Sequence, residues 1–307
     1  LGTDIGEERS AEEDRQAQFV DWSFVKYQAK KKERAQLSRE AMAREAKDTT
    51  DTPARKGKEV VRMFSAIEYD KLKESLHRDR ERLISHVETL LDMYPKSRYN
   101  PQLLMRLAEL YYDKASDEFD VKLRAYEKQM AEGVEGDTLA FPEYDLSQVV
   151  RLYERIVETY PRAPAADDAM FYKSLALQKV GREDEANDLL LRLTEEYPES
   201  EYFVEANMNI GRFFFEHPKI HDHKGYELAE EAFRKVLYYR DHPQFVQALY
   251  HLGWCYYMQD QYEEAIAVFK YLVEEVDLDF DPSRMEDNQI VNPLLREEAI
   301  DRKSIRL

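Results

Sequence analysis

The sequence predicts an all-α solenoid of stacked helix pairs, and three observations carry that expectation. A Tyr-Pro step recurs as Tyr94-Pro95-Lys96-Ser97, Tyr160-Pro161-Arg162-Ala163 and Tyr197-Pro198-Glu199-Ser200. A code of small and large residues recurs with it, sharpest in Leu249-x-x-Leu252-Gly253-x-x-Tyr256 followed by Ala265-x-x-x-Phe269. Glycine is scarce, at 9 of 307 residues, which leaves few strained turns and no glycine-rich phosphate loop. A self-similar period of this length marks a repeat array, in which each unit buries its apolar face against its neighbours.

Residues 7–47 read as one charged helix. Acidic residues crowd its start (Glu7, Glu8, Glu12, Glu13, Asp14) and basic ones follow (Lys26, Lys30, Lys31, Lys32, Arg34, Arg39, Arg44, Lys47). That order complements the helix dipole. An apolar cluster (Phe19, Val20, Trp22, Phe24, Val25) interrupts the charge and can dock on a neighbour. Asp48 to Lys58, with Pro53 and Gly57, reads as a linker. The expected division is therefore a charged N-terminal helix and linker over 1–58 and a solenoid over 59–307.

Residues 59–93 hold neither Gly nor Pro, and apolar residues fall in three- and four-residue steps with one slip near Tyr69. They form one long helix or two abutting ones, ending before Tyr94-Pro95. The next helix begins near Pro101 and runs to about 131, because apolar positions continue past Tyr112 at Ala115, Phe119, Leu123, Tyr126 and Met130. Its length is on the order of 45 Å. Gly133 and Gly136 end it, and a loop through Phe141-Pro142 leads to a helix from about Asp145. Pro161 and Pro198 are 37 residues apart whereas Pro95 and Pro161 are 66 apart, so that unit carries an insertion of 29 residues, the difference, at about 113–144. A second, shorter insertion lies around His217–Tyr226.

Each helix pair carries the packing code. Small residues at Ala108, Ser174, Gly211 and Gly253 face Ala186, Ala229 and Ala265 from the partner helices, and Leu, Tyr and Phe fill the space beside each crossing. Small residues let two backbones approach; large ones fill the flanks. Asn292-Pro293 reads as a further helix start with no partner helix before Leu307, either a lone capping helix or, as the favoured expectation, the first helix of a repeat that continues beyond it. The opening Leu1 in place of Met points to a processed chain, an excerpt or a partial product.

This code resembles the tetratricopeptide repeat family over roughly 83–276, most closely in the last unit. The aromatic residue expected near the start of each first helix is absent, with Leu104, Met170, Asn207 and Leu249 in its place. The Tyr-Pro ends further resemble bacterial envelope members, including outer-membrane-protein-assembly lipoproteins and periplasmic division-coordinating proteins. The run Pro101-Gln102-x-x-x-Arg106-Leu107-Ala108-Glu109-Leu110-Tyr111-Tyr112 is similar to gliding-motility repeat proteins. What the resemblance implies is a protein-binding scaffold in the periplasm or on the periplasmic face of the outer membrane, with a lipid anchor outside this chain.

Charge narrows the partners. The formal net charge of −18 argues against nucleic acid, which needs clustered cations facing phosphates. No apolar run approaches 18 residues, so no membrane-spanning helix is expected. His217, His221 and His223 are the one cluster of ligand-type residues, and their loop setting reads as solvated rather than metal-binding. Paired carboxylates such as Glu195-Glu196 and Glu274-Glu275 read as solvated helix faces rather than acid–base pairs. Cys255 sits among aromatic residues without a basic activator and reads as a packed thiol. No enzyme, cofactor or metal site is expected.

The expected binding surface is the concave side, lined by the first helix of each pair. Counting from the small crossing residues places Met105, Tyr112, Phe171, Met208, Arg212, Phe215, Tyr250, Trp254 and Tyr257 there, with Glu109 and Leu175 beside them. Aromatic residues and Met are frequent anchors of binding surfaces, although some of this set is expected in the core between units. The occupant is expected to be a peptide or partner helix. The rival expectation is a structural subunit of an envelope or motility complex that uses the N-terminal and inserted long helices.

Overall fold

A computed structural model describes helical residues between 14 and 36, then residues 55–132, 140–220 and 224–274. All regular structure among the described residues is helical. We number residues 23–33 as α1, then α2 (Arg55–Met93), α3 (Asn100–Ala131), α4 (Ser147–Thr159), α5 (Ala166–Lys179), α6 (Glu183–Glu196) and α7 (Phe203–Glu216). There follow α8 (Gly225–Val236), α9 (Phe245–Met258) and α10 (Tyr262–Glu274). By contacts the chain divides into two units, Leu1–Glu216 and His217–Leu307, which are described separately.

In the first unit consecutive helices pack as antiparallel neighbours. Across α2 and α3, Tyr111 Oη donates to Glu88 Oε1 at 2.7 Å, Lys114 pairs with Glu81 at 3.2 Å, and Arg80 Nη1 donates to Asp117 Oδ2 at 2.8 Å. The numbers rise on one helix as they fall on the other. Residues 59–93 therefore lie in one helix rather than two, and it starts at Arg55, four residues inside the expected linker. A helix absorbs Gly57 at a cost of about 1 kcal/mol.

The N-terminal helical extension packs along the first helices of the array. Asp14 accepts hydrogen bonds from Tyr99 Oη (2.8 Å) and Arg98 (3.2 Å) at the start of α3. Thirteen residues further on, Tyr27 Oη donates to Asp113 at 3.0 Å, with Lys31 on the same carboxylate at 2.5 Å. Lys30 reaches Ser75 (3.0 Å) and Asp79 on α2. So α1 runs parallel to α3 and antiparallel to α2, the relation of a first helix to its own partner and to the next first helix. Val20, Phe24 and Tyr27, spaced four and three apart, are buried on one face, and Arg106 lies over the Phe24 ring at 4.5 Å. Val25, expected in the docking cluster, faces solvent, because it lies more than a third of a turn from the centre of that face. Phe19 and Trp22 lie outside the described residues, as do Gly133, Gly136 and Asn292-Pro293.

The Tyr-Pro turns share one geometry. The Tyr carbonyl accepts the N–H three residues on, and that residue's carbonyl accepts the N–H three further. This gives Ser97 on Tyr94 (3.1 Å) and Asn100 on Ser97 (3.2 Å), then Ala163 on Tyr160 (2.9 Å) and Ala166 on Ala163 (3.0 Å). The third copy places Ser200 on Tyr197 (3.0 Å) and Phe203 on Ser200 (3.1 Å). Proline holds the preceding residue out of the helical region, which fixes where each helix stops. The Oγ of Ser97 and of Ser200 accepts the N–H two residues on, at 3.3 and 3.2 Å. Asn100, fully buried, donates to Tyr94 O (3.1 Å) and Tyr160 Oη (3.3 Å) and so ties the first turn to the second.

In the second unit the same turn recurs with Arg240 in place of the proline after the tyrosine and with Pro243 further along it. His242 donates to Tyr239 O (3.0 Å) and Phe245 to His242 O (2.9 Å), and the His242 ring takes the serine's place as acceptor for the Gln244 N–H at 3.3 Å. The core of this unit gathers Leu249, Tyr250 and Leu272, with Phe245, Val246, Trp254, Val268 and Phe269 packed around them. Burying side chains of this size contributes about 1.5–3 kcal/mol each. The helix pairs α5–α6 and α9–α10 turn through one left-handed residue each, Gly181 (φ 76°) and Asp260 (φ 59°). In both, the residue after it donates to a carbonyl five residues back, Arg182 to Leu177 and Gln261 to Tyr256, each at 2.9 Å.

Candidate protein-binding surface

The residues expected on the concave face separate into three groups. Met208, Phe171 and Tyr250 are core, at 1%, 7% and 6% exposure. Phe171 stacks on Tyr202 at 4.4 Å, and Tyr250 meets Trp254 and Phe269 edge to face at 6.1 and 6.4 Å. Their side chains are consumed in packing, so they are not available to a partner as expected. Around Met208 the whole run from Ala206 to Gly211 is buried, so α7 offers no polar stripe from which a solvent face can be counted.

Met105, Tyr112 and Phe215 are half-buried. Tyr112 is held by Lys179 of α5, whose Nζ donates to Tyr112 Oη at 2.9 Å and lies 4.1 Å from the centre of the Tyr144 ring. Burial works against the Lys179 charge, but the two tyrosines outweigh it and raise its pKa. Tyr144 in turn stacks on Phe119 at 3.9 Å, and Phe141 meets Tyr126 at 5.4 Å. The return loop of the insertion is thus fastened along the outer half of α3. Val121, Met130 and Phe141 stay exposed there.

Arg212, Trp254 and Tyr257 reach the surface to different degrees. Arg212 is exposed and donates to Asn209 one turn back. Trp254 is half-buried and Tyr257 is 49% exposed, their rings 5.5 Å apart and nearly perpendicular. Tyr257 meets Tyr262 in the same way at 5.5 Å. Together with Met258 and Ile266 they make an aromatic and aliphatic surface at the α9–α10 turn. Counting along first helices alone missed Tyr262 and Ile266, which belong to the second helix of the pair. The signal for them was Tyr262 and Ile266 one turn apart, beside rather than on the Ala265–Phe269 packing stripe.

Other candidate chemistry is tied up in structure. Cys255 is fully buried, and burial, then the nearby Glu230 charge, pushes its thiol up to about 12. Glu109 is half-buried, which raises its carboxyl, while Arg106 donates to it at 3.3 Å and offsets part of that rise. Among the described residues no His, Cys, Asp and Glu side chains cluster as a metal site, and no helix is long and apolar enough to cross a membrane. His221 and His223 lie outside the described residues.

Family models decide the identity of the repeats. One tetratricopeptide repeat model matches residues 168–200, the α5–α6 hairpin with its closing turn. A second matches residues 222–280, which hold α8, α9 and α10. These are tetratricopeptide repeats. No curated protein matches the chain in sequence. Among solved structures, the chain is similar to a protein named MamA at 16% identity, over 67% of this chain and 87% of that one, with a TM-score of 0.43. It is also similar to BtubC (BKLC) from P. vanneervenii at 13% identity, over 80% and 90% of the two chains, with a TM-score of 0.40. Tetratricopeptide repeats are interaction modules, and such scaffolds are in general not catalytic.

Proposed function

We propose that this chain is a non-catalytic scaffold that holds an apolar peptide segment or amphipathic partner helix against Trp254, Tyr257 and Tyr262. The observation that carries this is the exposed aromatic surface itself. In a chain with 35% charged residues, Tyr257 and Tyr262 at 49% and 50% exposure stand beside Met258 and Ile266, with a half-buried tryptophan behind them. Exposed apolar residues gathered in one place mark interaction sites, and large aromatic side chains lose little entropy on binding.

Replacing both Trp254 and Tyr257 by alanine is the test. Partner capture is expected to fall at least about tenfold, the equivalent of 1.4 kcal/mol, while the helical content stays as in the wild type. Unchanged capture by the folded double variant contradicts the proposal. Tyr250 is unsuitable for this test, since its removal reads stability rather than binding.

A second reading is favoured by the outer half of α3, fastened by Phe141 and Tyr144 and exposing Val121 and Met130. Here the chain is a structural subunit that contacts its neighbours through this insertion. An envelope or motility setting, on the periplasmic side, belongs to this reading and rests on the Tyr-Pro resemblance. Deleting the inserted segment then disrupts assembly while leaving capture at Tyr257 intact, whereas intact assembly counts against it.

A further inference from the structure

The three Tyr-Pro turns of the first unit are linked in series, and the two links differ. Tyr197 Oη donates to Pro161 O at 2.6 Å, which draws the third turn directly onto the backbone of the second. Between the first and second turns the link is Asn100 donating to Tyr160 Oη at 3.3 Å, and Asn100 is fully buried. That link is deep, and a cleft of about 500 Å³ stays open between these two turns.

Lys96, Arg98 and Arg162 line this cleft with Pro101, Pro161 and Pro164, and no carboxylate of a described residue does. In a chain of net charge −18 this is a local inversion of sign. A cleft lined by one sign of charge concentrates ligands of the opposite sign. All three cations are exposed, and Lys96 and Arg162 have no ion-pair partner among the described residues, so neither gives up a contact to meet a ligand. Arg98 shows what the cleft accepts. Asp14 Oδ1 takes hydrogen bonds from Arg98 at 3.2 Å and from the adjoining Tyr99 Oη at 2.8 Å, so a carboxylate already sits on one of the lining residues. The prolines add rigid apolar walls without N–H donors, which suit the carbon atoms of a peptide better than a small hydrated anion.

We propose that this cleft is a second interaction surface, one that takes an acidic, extended segment of a partner protein whose carboxylates pair with Lys96 and Arg162 while its backbone lies across the prolines. It differs from the Trp254–Tyr257 surface in place and in chemistry. It is built from the turns between helix pairs rather than from a helix face, and it selects by charge rather than by apolar contact. Each ion pair is exposed and individually weak, so capture needs several carboxylates together and is released by salt.

Fluorescence anisotropy of a labelled decaglutamate peptide with the full chain tests this, with decaglutamine as the uncharged control. At about 0.15 M salt the repulsion from the rest of the acidic chain is screened beyond about 8 Å, so capture reports a local site. Decaglutamate should bind saturably and decaglutamine should not. Affinity should fall at least about tenfold when Lys96→Glu and Arg162→Glu are combined, and less than about twofold when Lys122→Glu and Arg124→Glu are. The second pair makes the same change of net charge at exposed positions on the outer half of α3. Equal losses in the two variants, equal binding of the two peptides, or no binding of decaglutamate overturns the proposal. So does a concentration-dependent dimer that Lys96→Glu with Arg162→Glu dissolves while decaglutamate does not bind, since the cleft is then filled by a second copy.

Discussion

A Cβ placed on Gly253 would stand 2.6 Å from Phe269 Cε1, closer than carbon atoms in proteins approach. The small-residue position of the last repeat is therefore set by the ring facing it. Gly253→Ala gains about 1 kcal/mol of helix propensity but forces the ring aside, at about 1–3 kcal/mol. The expected net loss is about 1 kcal/mol, read as reduced hydrogen-exchange protection in α9 and α10. In a Phe269→Ala background the same change should no longer destabilise. An equal loss in both backgrounds would show that the contact is not the cause.

Gly181 has the opposite reason for being glycine. Nothing lies within 4 Å of its added Cβ, yet its φ is 76°. Gly181→Ala should cost about 1–2 kcal/mol through the left-handed backbone alone. Asp260, at φ 59°, occupies the matching turn, so Asp260→Gly should be neutral or stabilising even though Tyr262 Oη loses its acceptor at 2.6 Å. Denaturant unfolding of each variant measures both, and a neutral Gly181→Ala would contradict the backbone argument.

The docking of α1 rests on Val20, Phe24 and Tyr27. Phe24→Ala removes a buried ring, a change that costs about 3–5 kcal/mol in a core, and leaves Val20, Tyr27 and polar contacts such as Lys31 on Asp113 to hold α1. Cleavage by trypsin at Lys30–Lys32 should accelerate at least about tenfold, with α5 and α6 still protected from exchange. Tyr27→Phe should weaken α1 by about 1 kcal/mol, the worth of its hydrogen bond to Asp113. An unchanged cleavage rate in Phe24→Ala would mean that α1 is not held by this face.

Alkaline pH should destabilise the second unit through Cys255. Its folded thiol is pushed up from 9.0 to about 12 by burial. The folded state thus keeps a proton that the unfolded chain has lost, and stability falls as pH rises between those values. The contribution is complete below pH 9 and gone above about 12. Unfolding midpoints measured from pH 8 upward should fall less steeply in Cys255→Ala than in the wild type. The same burial predicts that iodoacetamide labels Cys255 only once this unit unfolds; labelling of the native protein would contradict it.

The helix pairs were legible because proline and the small-large code act locally: Tyr197-Pro198 stops α6 whatever surrounds it, and Ala265 and Phe269 share one face of α10 by spacing alone. Two features escaped. The turn at Tyr239–His242 forms the same hydrogen bonds with His in place of Ser and Arg in place of Pro, so composition did not reveal it. The place of α1 in the array depended on Tyr27 completing a stripe with Val20 and Phe24, and a dense run of charges diluted that stripe. Of the residues expected on the concave face, Tyr257 is exposed because it stands near the end of α9. Met208 and Tyr250 were misplaced because helical position fixes direction, whereas exposure depends on which neighbours stand there.

Site-specific photocrosslinking in the native cell tests the central claim most directly. A photoreactive residue in place of Tyr257 should form one discrete adduct with a partner protein, and that adduct should disappear when Trp254 is also changed to alanine in a chain that still folds. An adduct that persists without Trp254, or crosslinks from position 257 no different from those at the exposed Glu199, would contradict the assignment of this aromatic surface as the binding site.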